Sequence, residues 1–150
     1  TDVNNIIVVW QADEVIIMQK ISPNGELLWG ENGITLSCEN TYSWPQPIAV
    51  GEDDFILKFY EDSGPAWAPE RHILAQRFDA DGNPVWQENT IISNAGGISA
   101  WTQLLSGVPD DNDGFFITWH DDRDGNNLAD CFLQHITSDG ETTFQDNGVP

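Results

Sequence analysis

A ten-residue segment late in the chain combines side chains that a hard cation binds. It spans residues 121–130 and reads "DDRDGNNLAD". Asp122, Asp124, Asn126 and Asp130 carry carbonyl or carboxylate oxygens, which are the ligands that Ca²⁺ prefers. The complete EF-hand pattern, with a bidentate Glu at its twelfth position, is absent. A calcium site is therefore one of two interpretations of this segment.

The other interpretation of the segment is structural. Asp121 and Arg123 have opposite charges and lie two residues apart, so they are expected to pair and to lock a long hairpin. Gly125 would then take the turn, because glycine adopts positive φ without strain. We favour this interpretation over calcium binding.

A proline-rich insertion, "SGPAWAPER" at 63–71, carries the other candidate for ligand binding. Its Trp67 has no counterpart elsewhere in the chain and is flanked by Pro65 and Pro69. The ring is predicted either to contact a sugar or a peptide or to fold back over a hydrophobic sheet edge. Trp67, Asp121 and Arg123 are therefore the candidate ligand-binding residues.

The sequence does not predict an enzyme. None of the three histidines recurs at an equivalent position, and neither Gly-x-Ser-x-Gly nor His-Glu-x-x-His occurs. Carboxylates are abundant, but a glycosidase needs two of them at a fixed separation in one cleft, which a sequence cannot show. Two cysteines are too few for a metal site of their own.

Composition limits the partners. The chain has 25 acidic residues against 5 basic ones, a net charge of −20, yet 39% of its residues are hydrophobic, as in a folded protein. Phosphate binding depends on Lys and Arg, so nucleic acid is excluded as a partner, and an anionic membrane surface is disfavoured. The longest apolar stretches are far too short for membrane insertion. A protein or a glycan is the expected partner.

The chain repeats itself. Residues 19–32, "QKISPNGELLWGEN", return at 76–89 as "QRFDADGNPVWQEN" and more loosely at 134–147 as "QHITSDGETTFQDN". The copies start 57 and 58 residues apart, a spacing typical of solenoids, propellers or arrays. We therefore predict a single repeat domain, 1–150, made of units at about 1–43, 44–99 and 100–150.

Local patterns predict strands. Short β-branched and aromatic runs, such as "FILKF" and "FFITW", are bounded by Asp, Asn and Gly. In the second unit the predicted strands are roughly 46–50, 54–61, 72–79 and 84–93. Between the last two of these strands lies an Asp-Gly pair, and the first and third units have Asn-Gly and Asp-Gly at the equivalent place. Such pairs are favoured where both central residues of a tight turn need positive φ.

Several side chains recur in register and are predicted to be buried. The glutamines Gln19, Gln76 and Gln134 lie between apolar neighbours, so they are expected to bond backbone groups of a neighbouring strand or sheet. The repeated tryptophans are expected to pack between sheets (Trp29 with Trp86, Trp44 with Trp101). Cys131 aligns with Ile16 and Ile73 and is predicted to be a small buried side chain.

A four-stranded antiparallel sheet cannot bury both faces alone, but sheets stacked radially bury one another. The fold class predicted is therefore all-β, a β-propeller-like array of about three four-stranded antiparallel blades. Propellers typically have four to eight blades, so a piece of a larger ring or self-association is expected. A β-sandwich is the alternative, although it does not require internal repetition.

The chain also resembles a repeat of large secreted bacterial proteins, often from Bacteroidota. That repeat runs W-x-D-x-R-x-G, then D-I-Y-A-Q-R, a D-x-x-G turn, and L-W. The matching residues in the third unit are Trp119, Asp121, Arg123, Gly125, Asp130, Gln134 and Gly140. The second unit keeps Gln76, Arg77, Asp79, Gly82 and Trp86 but lacks the Asp-x-Arg pair.

The resemblance implies a propeller-like fold and a secreted or cell-surface location. The first ten residues show no signal-peptide pattern. The function expected is a non-catalytic scaffold or interaction module of an exported protein. The alternatives are a carbohydrate- or protein-binding domain that uses loops between strands, part of a propeller hydrolase, and passenger cargo of an outer-membrane export system.

Overall fold

The computed structural model describes residues 5–98 and 106–150. Within these ranges the protein is all-β and contains no helix, hence none that could span a bilayer. The strands are β1 (Ile6–Ala12), β2 (Val15–Ile21), β3 (Ile34–Leu36), β4 (Thr41–Val50), β5 (Asp54–Ser63), β6 (Glu70–Phe78), β7 (Thr90–Ser93), β8 (Ser106–Pro109), β9 (Phe115–Asp121) and β10 (Asp130–Ile136).

The strands form three antiparallel sheets, each from consecutive strands: β1-β2-β3, β4-β5-β6-β7 and β8-β9-β10. The predicted all-β class is confirmed. The second sheet has the four strands predicted, whereas the first and third have three among the described residues. Beside β10, the place of a fourth strand is held by a single bridge. There Leu133 and Val149 exchange backbone hydrogen bonds of 2.8 and 2.9 Å.

The second sheet is buried on both faces, because its strands alternate two apolar sets. In β6, Leu74 and Phe78 belong to a core shared with the first sheet, and Ile73 and Ala75 belong to a core shared with the third. Successive side chains of a strand point to opposite faces. The second sheet is therefore a middle layer, which a two-sheet sandwich lacks.

A glutamine in each sheet, on β2, β6 or β10, fastens the loop that follows its strand. In the second sheet, Gln76 Oε1 accepts from the backbone N–H of Arg77 at 3.0 Å and of Trp86 at 3.1 Å. Its Nε2 donates to Trp86 O at 3.3 Å. Gln19 and Gln134 make the same pattern of bonds within their own sheets. The prediction of backbone partners is confirmed, but these partners lie in the loop after the same strand and not in a neighbouring strand or sheet.

This loop corrects the fourth predicted strand of the second unit. Residues 84–93 were expected to be one strand with Trp86 near its start, but β7 comprises Thr90–Ser93 alone. Trp86 lies in the preceding loop, and Pro84 makes only an isolated bridge to Phe78. The bonds to Gln76 occupy the backbone of Trp86, which consequently does not pair as a strand residue.

The turn before that loop also differs from the expectation. Only the glycine has positive φ in each copy: 84° at Gly25, 81° at Gly82 and 84° at Gly140. In the first copy, Gly25 N donates to Ser22 O and Ser22 N to Glu26 O. These bonds are typical of a three-residue hairpin loop in which the glycine occupies the left-handed region. The prediction of two positive-φ residues was wrong.

Two predicted buried side chains are exposed. Trp44 lies with positive φ at a bulge in β4, beside Pro45, where the pairing with β5 shifts register. The bulge turns its ring outward, since a bulge re-aims a side chain; its proposed counterpart Trp101 lies outside the described residues. Cys131 is exposed and free. It occupies the outer face of the third sheet, where no described residue covers it as Ile16 and Ile73 are covered.

At the turn of the third sheet, glycine is required by a tryptophan of the second sheet. A Cβ at Gly140 would lie 2.7 Å from Trp86 Cδ2, whereas a Cβ at Gly64 would meet nothing within 4 Å. Both glycines have nearly the same φ, 84° and 81°. Replacement by alanine therefore costs similar backbone strain at both sites, roughly 1–2 kcal/mol, and adds overpacking only at Gly140.

We expect Gly140→Ala to lower the free energy of unfolding by about 1–3 kcal/mol more than Gly64→Ala does. Urea unfolding followed by tryptophan fluorescence measures the difference. Equal losses in the two variants would show that Trp86 does not pack on this turn.

Candidate functional site at the hairpin tips

The hairpin between β9 and β10 is fixed by a buried ion pair. The Asp121 carboxylate has no exposed side-chain surface. It accepts two hydrogen bonds from the Arg123 guanidinium, at 2.7 Å from Nε and 2.6 Å from Nη2, and one from Trp119 Nε1 at 2.8 Å. The predicted pairing of Asp121 with Arg123 is confirmed. Gly125 lies at the tip with φ of 70°, as predicted.

Arg123 also covers the end of the third core. Its Cζ lies 3.4 Å from the centre of the Phe132 ring, and its Nη2 donates to Asn147 O at 3.1 Å. The guanidinium is thus held by a carboxylate, an aromatic face and a backbone carbonyl together. Both residues of the pair are occupied in holding the hairpin, which leaves Asp121 and Arg123 little capacity to bind a ligand.

The predicted calcium ligands are spread along the hairpin. Asp124 bonds the amide of Asn126 at 2.7 Å, and Asp122 accepts from Asn127 N at 3.0 Å. Asp130 pairs with Asp121 in the β9–β10 ladder at the base of the hairpin. In the described parts of the chain, no group of three or more His, Cys, Asp or Glu side chains is placed to hold a metal ion.

The equivalent hairpin of the second sheet, between β5 and β6, presents Trp67 to solvent. Its side chain is 87% exposed, and the loop is closed by Ala68 N donating to Pro65 O at 2.9 Å. The ring therefore does not fold back over a sheet edge. Presentation of an aromatic surface is the interpretation that the geometry favours for this loop.

An ion pair that sequence reasoning missed holds this second hairpin. Arg71 donates to both Asp62 oxygens, at 2.6 and 2.7 Å, and lies over the Tyr60 ring. This pair holds its hairpin as Asp121 and Arg123 hold theirs, but its two residues lie nine positions apart on opposite strands. The Asp-x-Arg spacing was absent, so no local pattern indicated the pair. The hairpin register, Asp62 opposite Arg71, was the signal needed.

A groove of about 550 Å³ lies between the first and second sheets. Its walls include Ile34, Phe59 and Trp86, with the polar groups of Tyr42 and Asn89 between them. Asn89 Nδ2 donates to the Tyr42 hydroxyl at 3.2 Å, and burial raises the pKa of Tyr42 to about 12. The volume and the mixed lining are typical of small-ligand sites.

A lysine is buried between the second and third sheets. Lys58 has no exposed surface and lies on β5 between Ile56 and Tyr60, on the face that packs against the third sheet. Its Nζ donates to Gln46 Oε1 at 2.5 Å, and none of the described residues forms an ion pair with it. Burial lowers the pKa of Lys58 to about 7. The signal available in the sequence was that Lys58 aligns with Val9 and Thr118, which carry no charge.

On the outer face of the third sheet, His135 is held by Asp110. Its Nε2 lies 2.6 Å from Asp110 Oδ2, and its Nδ1 lies 3.0 Å from Thr143 Oγ1. The hydrogen bond from His135 is the largest cause of the lowered pKa of Asp110. The same carboxylate accepts from the N–H of Asn112 and Gly114, which makes the segment 109–114 a turn. His135 is thus engaged in structure.

Breaking the pair in the third hairpin should be costly. Arg123→Gln leaves the Asp121 charge buried without its partner, so we expect a loss of about 3–5 kcal/mol in the free energy of unfolding. Asp124→Asn is the matched control in the same hairpin; because Asp124 is exposed, its effect should stay within about 0.5 kcal/mol. Urea unfolding measures both variants.

The effect of calcium on the melting temperature distinguishes the two interpretations of residues 121–130. If the ion pair holds the hairpin, adding calcium or a chelator leaves the melting temperature of the wild-type protein unchanged. A rise with calcium that Asp124→Asn abolishes would instead support the cation site.

Lys58 predicts a pH-dependent stability difference. Its pKa is about 7 in the folded protein against the ordinary lysine value of 10.5. The unfolded chain therefore binds the extra proton between these values, and stability rises with pH across that window. We expect Lys58→Met to be more stable than wild type by about 2–5 kcal/mol below pH 7. The gain should shrink as pH rises from 7 towards 10.5; a gain that stays constant would contradict a lowered pKa.

No protein-family model, curated protein or solved structure matches the chain. The function of this protein is therefore inferred from its repeated sequence and from the geometry of its three sheets.

Proposed function

We propose that the chain is a non-catalytic β-propeller repeat region of an exported or cell-surface bacterial protein, acting as a scaffold or interaction module. The observation that carries this proposal is the use made of the recurring side chains. The three glutamines bind the backbone of their own sheets, and Trp86 packs on the turn of the next sheet. The residues that repeat are thus used in construction.

The arrangement of the sheets supports a propeller. Each sheet packs face to face on the next, and the second is covered on both sides. The first strands also converge, since β4 of the second sheet contacts both β1 and β8 of its neighbours. Radial stacking around an axis brings the innermost strands together in this way.

The exported location is proposed from the resemblance to repeats of secreted bacterial proteins and from the charge. A net charge of −20 keeps a protein soluble and repels nucleic acid and anionic lipid. It is compatible with neutral or basic ligands.

An interaction role has specific support in Trp67. Its ring is the most exposed of the large hydrophobic side chains that the structure describes, and it stands on a proline-braced loop at a hairpin tip. Aromatic rings presented in this way contact sugar faces or peptide side chains with little loss of entropy. We propose a neutral glycan or a protein as the ligand of this loop.

Trp67→Ala tests the interaction role. On arrays of glycans and peptides, we expect the variant to lose about 30-fold in affinity for any ligand that the wild-type protein retains, because a central tryptophan contributes about 2 kcal/mol or more. Leu128→Ala is the matched control. Leu128 is 70% exposed on the corresponding hairpin of the third sheet, and its removal should leave binding unchanged.

Equal binding by wild type and Trp67→Ala would contradict this use of the loop. Binding by neither would contradict the interaction role and leave the scaffold role. Hydrolysis of a retained ligand would contradict the non-catalytic assignment.

A further inference from the structure

The two contacts between neighbouring sheets are built alike. Trp29 of the first sheet lies against the Gly82 turn of the second, and Trp86 of the second lies against the Gly140 turn of the third. Trp86 Nε1 also donates to Ser138 O at 2.9 Å. Each joint therefore consists of a tryptophan from one sheet seated on the glycine turn of the next.

A basic side chain completes each joint. Lys20 Nζ donates to Ala80 O at 2.9 Å, across the first joint. Arg77, at the equivalent position of the second sheet, donates to Ser138 O at 3.4 Å, across the second joint. In each joint, the basic side chain thus comes from the same sheet as the tryptophan.

The first sheet presents the other half of this joint, and no residue in the described ranges occupies it. A Cβ at Gly25 would meet nothing within 4 Å, whereas Gly82 and Gly140 are in contact with tryptophans. On the same sheet, Ile6 is 60% exposed and Trp10 is 41% exposed. Their equivalents in the two other sheets are no more than 3% exposed, and they are Phe55, Phe115, Phe59 and Trp119.

The third sheet presents the complementary half. Phe116 is 36% exposed, while Ile56 at the equivalent position of the second sheet has no exposed surface. Cys131 is exposed where Ile16 and Ile73 are fully buried. His135 stands in the place of Lys20 and Arg77, and Phe144 in that of Trp29 and Trp86.

We propose that the third sheet of one copy packs on the first sheet of a second copy of this chain. The two free faces are the two halves of a joint that the chain already forms twice, so a second copy supplies the surface that each face fits. This inference rests on the proposed propeller arrangement. Two copies joined head to tail at both ends supply six sheets, within the four to eight typical of a closed propeller.

Because of Phe144 and His135, this joint has fewer hydrogen bonds than the internal ones. Phenylalanine has no N–H to donate to the opposing turn, and His135 is already bonded to Asp110. Like charges on two copies, each of net charge −20, oppose association at long range. Salt screens this repulsion, so the joint should form more readily at an ionic strength of about 0.15 M or above.

Light scattering over micromolar to millimolar concentrations, with salt, tests the proposal. We expect the wild-type chain to show twice its 16.7 kDa. Val8→Glu places a charge on the free face of the first sheet, and Cys131→Glu places one on the free face of the third. Each variant should be monomeric. Leu128→Glu, exposed at a hairpin tip away from both faces, should retain the wild-type mass.

Because both substituted side chains are partly or fully exposed in the single copy, urea unfolding should show that the monomeric variants remain folded. A wild-type chain that stays monomeric at every concentration would overturn the proposal. So would retention of the wild-type mass by either Val8→Glu or Cys131→Glu, since the joint needs both faces. A monomer that still binds ligand through Trp67 overturns the second copy as partner and leaves the proposed interaction role intact.

Discussion

Each sheet depends on a buried carboxamide that has to be satisfied. Gln134 has no exposed surface, and Gln19 and Gln76 are nearly as buried. An amide in such a place costs about 1–3 kcal/mol if its donors and acceptors find no partners. All three meet this requirement in the same way, through the backbone ten or eleven residues further along the chain. The glutamine consequently determines where the chain goes after the hairpin turn.

That route positions the joints between sheets. Bonding to Gln76 fixes the backbone of Trp86, and the indole then reaches the Gly140 turn and the Ser138 carbonyl of the next sheet. A polar group inside one sheet thus sets the geometry of an apolar contact with its neighbour. Repetition of the glutamine repeats the contact, which explains how sheets of quite different core composition stack in one manner.

Much of the structure was predictable from the sequence, because equivalent positions can be compared between the three copies of the repeat. Three copies of a buried glutamine indicated a structural role, and the Asp121–Arg123 pair followed from charge and spacing. The comparison failed where environments differ between copies. Cys131 aligned with buried isoleucines, but no described residue covers it. Alignment likewise could not place Trp86 in a loop, since that depends on a hydrogen bond from another strand.

Contacts without a repeated or local pattern were beyond prediction for a different reason. Arg71 and Asp62 perform in one hairpin what Arg123 and Asp121 perform in the other, and only the strand register brings them together. The arginine that neutralises the aspartate beside the aromatic ring can come from the residues just after it or from the opposite strand. The two pairs therefore have different sequence spacings, and a search for Asp-x-Arg finds only one of them.

The two internal joints also differ in what they cost to form. The core between the first and second sheets is built from apolar side chains, whereas the core between the second and third includes the desolvated amine of Lys58. The second joint compensates with polar contacts at its rim, namely the Trp86–Ser138 hydrogen bond and the ion pair of Arg77 with Asp113 at 3.6 Å. A partly exposed ion pair contributes about 1 kcal/mol at most, which is less than the burial of a charged amine without a carboxylate partner costs. The contact between the second and third sheets therefore carries a desolvation cost that the contact between the first and second sheets does not.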